Sequence, residues 1–123
     1  MGLSRIVMRL ARNPGTEFAN GDDHRGYTLL APLTPDARLD ATAYEHARSQ
    51  CSVRRFAPDE DPVVGRLARR AGRWFFDYSD GDDLGAEPVH RLGDHRFAVG
   101  EYVTVTDEDG RPLTYKVTDV EPA

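Results

Sequence analysis

The chain has one cysteine (Cys51), one lysine (Lys116), one tryptophan and two methionines among its 123 residues. A lone cysteine excludes an internal disulfide and fits a reducing compartment, so a cytoplasmic protein is expected. No apolar run approaches the roughly 20 residues a membrane helix needs, and no membrane partner is expected. The first residues, MGLSRIVMRLAR, interleave arginine with apolar side chains. A secretory signal needs an unbroken apolar stretch of about 7–15 residues, so none is read there. Gly2 does not open a myristoylation motif, because Ile6 stands where Ser or Thr is required. There is no internal repeat, no low-complexity linker and no phosphate-binding glycine pattern. Ser4, Ser49, Ser52 and Ser79 sit in neither a G-x-S-x-G nor an S-x-x-K context. No cofactor is expected.

What is present fits one soluble globular domain over 1–123: 39% hydrophobic and 30% charged residues, with formal net charge −5. The charge is uneven, about +2 over residues 1–56 and −7 over 57–123. An acidic chain repels nucleic acid and anionic membranes unless its basic groups gather on one face. All basic residues but Lys116 are arginine, which reads as genome composition.

Periodicity places several short strands. Ile6, Met8 and Leu10 alternate with Arg5, Val7 and Arg9, predicting a strand over Ser4–Arg12. NPGTEFANGDDHRG reads as loop, and Tyr27–Leu33 as a more buried strand ending at the turn Thr34-Pro35-Asp36. Asp40–Gln50 fits a short helix with Asp40 as N-cap. Cys51–Phe56 reads as a strand with Cys51 and Val53 facing the core, followed by the turn APDEDP. Residues 62–73 fit a helix or the first arm of a hairpin. Gly65 inside a helix would cost roughly 1 kcal/mol relative to alanine, and Trp74–Tyr78 is strand-like. The hairpin, Val63–Arg69 and Arg73–Tyr78 around Ala71-Gly72, is preferred, with Trp74, Phe76 and Tyr78 inward. SDGDDLGAEP, 79–88, reads as an acidic loop, and Val89–Phe97 as a short strand or irregular connection. Glu101–Thr106 and Pro112–Val120 form the clearest hairpin, joined at Asp109-Gly110, with Val103, Val105, Leu113, Tyr115 and Val117 inward. The expected fold is mainly β, α+β at the margin: a small antiparallel β-barrel or rolled sheet with one short helix.

Each candidate site has a plainer reading. His90, Asp94 and His95 offer imidazole and carboxylate to zinc or iron. Their H-x3-D-H spacing matches no strong signature, and Asp94-His95 reads instead as a turn whose carboxylate bonds local backbone N–H groups. Asp107, Asp109 and Gly110 look like the start of a calcium loop, but Arg111-Pro112 follows and the terminal glutamate is missing. Cys51 with His46 or His24 as base is set against a buried cysteine acting as a small hydrophobe. Arg66, Arg70 and Arg73 beside Trp74 could stack and hold a single strand of nucleic acid. On a hairpin, however, Arg66 and Arg70 take one face and Arg69 the other.

Three stretches, RIVMRLARNPG, GYTLLAPL at 26–33 and RLGDHRFAVGEYVTV at 91–105, together resemble a family of short, uncharacterised bacterial proteins, over most of the chain. The resemblance implies a compact bacterial protein and a glycine-rich turn before the aromatic strand, which favours the hairpin over 63–78. It implies no activity, substrate, cofactor or catalytic residue.

The function expected is a small non-catalytic binding or protein-interaction module with a protein or small-molecule partner. A single-stranded nucleic-acid binder using the hairpin at 66–78 ranks second. A metal-dependent enzyme using His90, Asp94 and His95 ranks third.

Overall fold

The computed structural model describes residues 2–78, 92–106 and 110–123, together with the backbone of 86–88. The strands are β1 (Ser4–Leu10), β2 (Asp22–Ala31), β3 (Ser52–Ala57), β4 (Glu60–Arg70), β5 (Arg73–Asp77), β6 (Ala86–Pro88), β7 (Tyr102–Thr106) and β8 (Pro112–Pro122). They form one sheet in the order β6-β5-β4-β3-β2-β1-β8-β7. Every pairing is antiparallel. The sheet curls into a half-barrel, the mainly β architecture that the alternating patterns predict. The first and last strands pair with each other, and the Ala123 N–H closes the seam on the Leu3 carbonyl at 2.8 Å. Among the described residues no helix is long and apolar enough to cross a membrane.

Period-two alternation sends every second side chain inward. Ile6, Met8 and Leu10, then Tyr27 and Leu29, Val53, Leu67, Trp74 and Phe76, and finally Val103, Val105, Leu113, Tyr115 and Val117 form one buried cluster. The connections supply its lid: Leu39, Tyr44, Leu92 and Phe97 are buried against the same cluster. Phe97 is held there by its own N–H, which donates to the Ala37 carbonyl at 2.7 Å.

The β4–β5 hairpin decides the ambiguity at 62–73. Ala71 (φ 51°) and Gly72 (φ 78°) make a two-residue turn with both backbones left-handed, which suits the right-handed twist of the strands. Gly65 has a reason to be there: a Cβ on it would strike the Asp77 carbonyl of the neighbouring strand.

Several boundaries differ from the sequence reading. Residues 22–26, read as loop, extend β2, because a bulge between Arg9 and Leu10 lets Asp22 pair with Leu10. Gly26 there permits a close backbone approach, since a Cβ would run into the Met8 carbonyl. The turn APDEDP shrinks to Pro58-Asp59, with Asp59 at φ 61°. Pro62 sits inside β4, next to a register shift and beyond the reach of β5, where no ladder N–H is required of it. The helix is shorter than Asp40–Gln50: α1 spans Ala41–Glu45, and a separate 3-10 turn covers Arg48–Gln50. Asp40 is its N-cap, the carboxylate accepting from the Ala43 N–H at 3.0 Å. Ala86–Pro88, read as part of the acidic loop, adds β6 to the free side of β5. The rest of that loop, residues 89–91 and the turn residues Asp107, Glu108 and Asp109 lie outside the described residues.

Candidate functional site

The metal reading rests on residues that the described structure does not bring together. His90 lies outside the described residues. Asp94 ends a 3-10 turn over Leu92–Asp94 that is closed by backbone, with the His95 N–H donating to the Leu92 carbonyl at 3.3 Å. The local role expected of the Asp94 carboxylate is thus taken by main chain. The Asp94 carbonyl also accepts from Arg38 Nη1 at 3.3 Å, which ties the lid segment down. His95 is half-buried, and burial lowers its pKa against the pull of Asp94 and Glu101. His24 is exposed on β2. Among the described residues no three His, Cys, Asp or Glu side chains gather where they could hold a metal ion.

Cys51 enters the core, 1% exposed, and its thiol donates to the Ala47 carbonyl at 3.3 Å. Burial raises its pKa, the opposite of what an activated thiolate requires. Trp74 is also taken by packing: 6% exposed, it meets Tyr44 edge-to-face at 5.1 Å. Phe76 is fully buried and Tyr78 half-buried.

The arginines give a clearer pattern. On β4, Leu67 points inward and Arg69 leans over the Trp74 ring from the rim, 5.5 Å from its centroid. Arg66 and Arg70 take the outer face with Arg73 of β5, since Arg66 pairs with Asp77 and Arg70 with Arg73. The hairpin's three candidate arginines therefore share one face. The register adds others that spacing alone could not reveal. One row across the outer face reads Arg66, Ser52, Leu30, Arg5, Glu121, and the next reads Val64, Arg54, Thr28, Val7, Asp119. Arg54 thus stands diagonally beside Arg66, although the two are far apart in sequence. Adjacent arginines in Arg54-Arg55 go to opposite faces, as strand alternation requires.

Some of these charges are answered. Arg70 bonds the nearly buried Asp77 at 3.0 Å, Arg5 reaches Glu121 at 3.1 Å, and Arg9 lies 3.7 Å from Asp119. Arg54, Arg66 and Arg73 are exposed, and among the described residues no carboxylate pairs with them. Beside Arg54 and Arg66 stands Val64, 66% exposed. A shallow groove of about 420 Å³ runs along the same face between Arg5, Val7, Thr28, Arg54 and Asp119. Chemically the surface offers fixed guanidinium donors around a small apolar patch. Its hydroxyls, Ser52 and Thr28, have no histidine or carboxylate hydrogen-bonded to them among the described residues.

Comparison with protein-family models, with curated proteins and with solved structures finds no match to this chain.

Proposed function

We propose that the protein is a small non-catalytic interaction module of the cytoplasm that receives an acidic segment of a partner protein on the outer face of its sheet. The observation that carries this reading is the pair Arg54 and Arg66 on adjacent strands, exposed and unmatched by any described carboxylate, with Val64 between them. Guanidinium groups favour carboxylates because their planar fork matches the two oxygens. A rigid sheet fixes the donors before the partner arrives, which lowers the entropy cost of binding. Exposed valine next to charge supplies an apolar contact with polar surroundings, the composition of an interface core and rim.

A labelled peptide alternating glutamate and leucine tests this by fluorescence anisotropy. The expected result is saturable binding that weakens with salt and is lost in Arg54→Gln/Arg66→Gln. Equal binding by that double variant overturns the reading.

A second reading, single-stranded nucleic acid on the same face, draws on Arg70 lying 5.9 Å from the centroid of the half-buried Phe75 ring, with Arg66 and Arg73 nearby. It is weakened by the burial of Trp74 and by the Arg70–Asp77 pair. Oligo-dT used as the anisotropy probe separates the two: tight binding of oligo-dT with none of the acidic peptide favours nucleic acid.

A further inference from the structure

The register carries the outer face well past Arg54. Lys116 of β8 stands between Tyr102 of β7 and Arg9 of β1, and the same row continues through Gly26 to Phe56 of β3. Tyr115 and Val117 are buried in the core, so strand alternation turns Lys116 outward. A second shallow groove, of about 520 Å³, lies at this end of the sheet, with Arg9, Arg12, Tyr102, Lys116 and Thr118 in its lining. It adjoins the groove at Arg54, since Thr118 lines the one and Asp119 the other. We propose that the outer face takes a bipartite acidic segment, with one acidic cluster on Arg54 and Arg66, a second on Arg12 and Lys116, and an uncharged stretch between, which rests on the acidic-partner reading of this face.

The charges fall into two separate groups. Arg12 and Lys116 are exposed, and among the described residues no carboxylate pairs with either, as holds for Arg54 and Arg66. Arg9, which lies between the groups, is already engaged: it stands 3.7 Å from Asp119, and its Nη1 donates to the Asp23 carbonyl at 3.3 Å. Asp23 is the single acid of the second groove's lining. Unanswered positive charge thus remains at two places on one face of a chain whose net charge is −5.

The ground between the groups sets what can lie there. Val7 and Thr28 are uncharged, and Asp119 is partly exposed beside them. An acid of the partner placed over Asp119 would meet a like charge, which penalises that register. From Arg54 to Lys116 the path crosses three strand steps of about 4.8 Å and shifts two residues along the strands, roughly 16 Å, the span of about five extended residues. Tyr102, 55% exposed beside Lys116, gives the far anchor an aromatic ring with a polar tip, a residue type that often carries binding energy at interfaces. A nucleic acid carries a phosphate at every nucleotide and cannot spare Asp119 in this way.

Fluorescence anisotropy of the whole chain with three labelled peptides tests the proposal. The first carries one Glu-Val-Glu triplet. The second carries two such triplets separated by four Ser and Thr residues. The third is an isomer of the second, with the triplets adjoining and the spacer at one end. The second should bind at least tenfold tighter than the first and at least threefold tighter than its isomer, because linkage makes the second contact intramolecular only where the spacing fits. Arg12→Gln/Lys116→Gln should cut the tenfold advantage to below threefold, and Arg96→Gln, outside both grooves, should leave it intact. Should the double variant fail to fold, amide NMR shifts of the parent chain decide. Changes at Tyr102 and Lys116 with the spaced peptide, absent with the single triplet, support the second anchor, and their absence overturns it. Equal binding of the two isomers, or an advantage that survives Arg12→Gln/Lys116→Gln, overturns the bipartite segment. In that case single-triplet binding that is lost in Arg54→Gln/Arg66→Gln still upholds the acidic-partner reading. No binding of any acidic peptide overturns both, and tighter binding of oligo-dT than of the spaced peptide overturns both in favour of nucleic acid.

Discussion

Phe75 and Phe76 are neighbours in sequence and belong to opposite worlds. Phe76 on the inner face is fully buried and lies 5.1 Å from Tyr27, while Phe75 on the outer face is half-buried beneath Arg70. The same division runs along each long strand: Leu67 against Arg66, Val53 against Arg54, Met8 against Arg9. The inner face is committed to folding, and its side chains are consumed by one another. The outer face keeps its charges in water, where they contribute little to stability and remain available to something else. Function is therefore to be sought where truncation is tolerated.

The sharpest test of that division is truncation of the two phenylalanines. Phe76→Ala should cost about 3–5 kcal/mol, from lost apolar burial and an unfilled cavity. Phe75→Ala should cost about 1 kcal/mol, because much of its surface is already in water. Urea midpoints at unchanged slope would measure both. Equal losses would show that the outer face is packed, and the division would fall.

Asn13 tests the rim that joins the faces. It is 9% exposed, and its side chain continues the β8 ladder where β1 has ended. Asn13→Ala leaves the Thr114 N–H without its acceptor and should cost about 1–3 kcal/mol. It should also loosen Glu17 and Phe18, visible as faster amide exchange in residues 14–20. A loss confined to global stability, with that loop unchanged, would show that other contacts hold it.

Much of the half-barrel was legible because antiparallel strands with one buried face write their pairing into period two. Both hairpins, the Asp40 cap and the inward set Val103, Val105, Leu113, Tyr115 and Val117 follow from local pattern. Residues 22–26 were misread because Asp and Gly signal loops, whereas here Gly26 serves a close strand approach and a bulge extends the ladder. The sites were less legible for a different reason. Arg54 joins Arg66, and Lys116 joins Arg9 and Tyr102, only through register between strands. No spacing along the sequence encodes that register. The two adjacent arginines at 54 and 55 were the one local hint, since a strand must send them to opposite faces.

A smaller effect concerns the lid over the inner face. Burial holds the His95 pKa below the ordinary histidine value, so the unfolded chain binds the proton more readily than the folded one. Stability then rises with pH through this group: its contribution is fully present above the unfolded value of about 6.5 and is lost as pH falls toward and below the folded value. His95→Gln should flatten the dependence of the urea midpoint on pH between about 7.5 and 5.5. A slope unchanged by the substitution would show that the half-buried ring stays hydrated. Added zinc should leave the melting temperature unchanged, because a ligand that does not bind the native state cannot stabilise it.

The smallest expected effect carries the most weight for function. Arg54→Gln/Arg66→Gln should change stability by no more than about 0.5 kcal/mol, the range for exposed substitutions away from special features. Neither side chain has a carboxylate partner among the described residues, so no ion pair is lost with it. Removing two like charges from neighbouring strands relieves some repulsion, and any gain should be greater at low salt than at 0.15 M, where screening acts over about 8 Å. Measuring the urea midpoint at both ionic strengths separates these possibilities. A small gain that fades with salt marks the two arginines as uncompensated charge that the fold tolerates, consistent with selection for a partner. A loss above about 1 kcal/mol would make them structural, with their stems packed on Val64 and the strand surface, and the outer face would then be explained by folding alone.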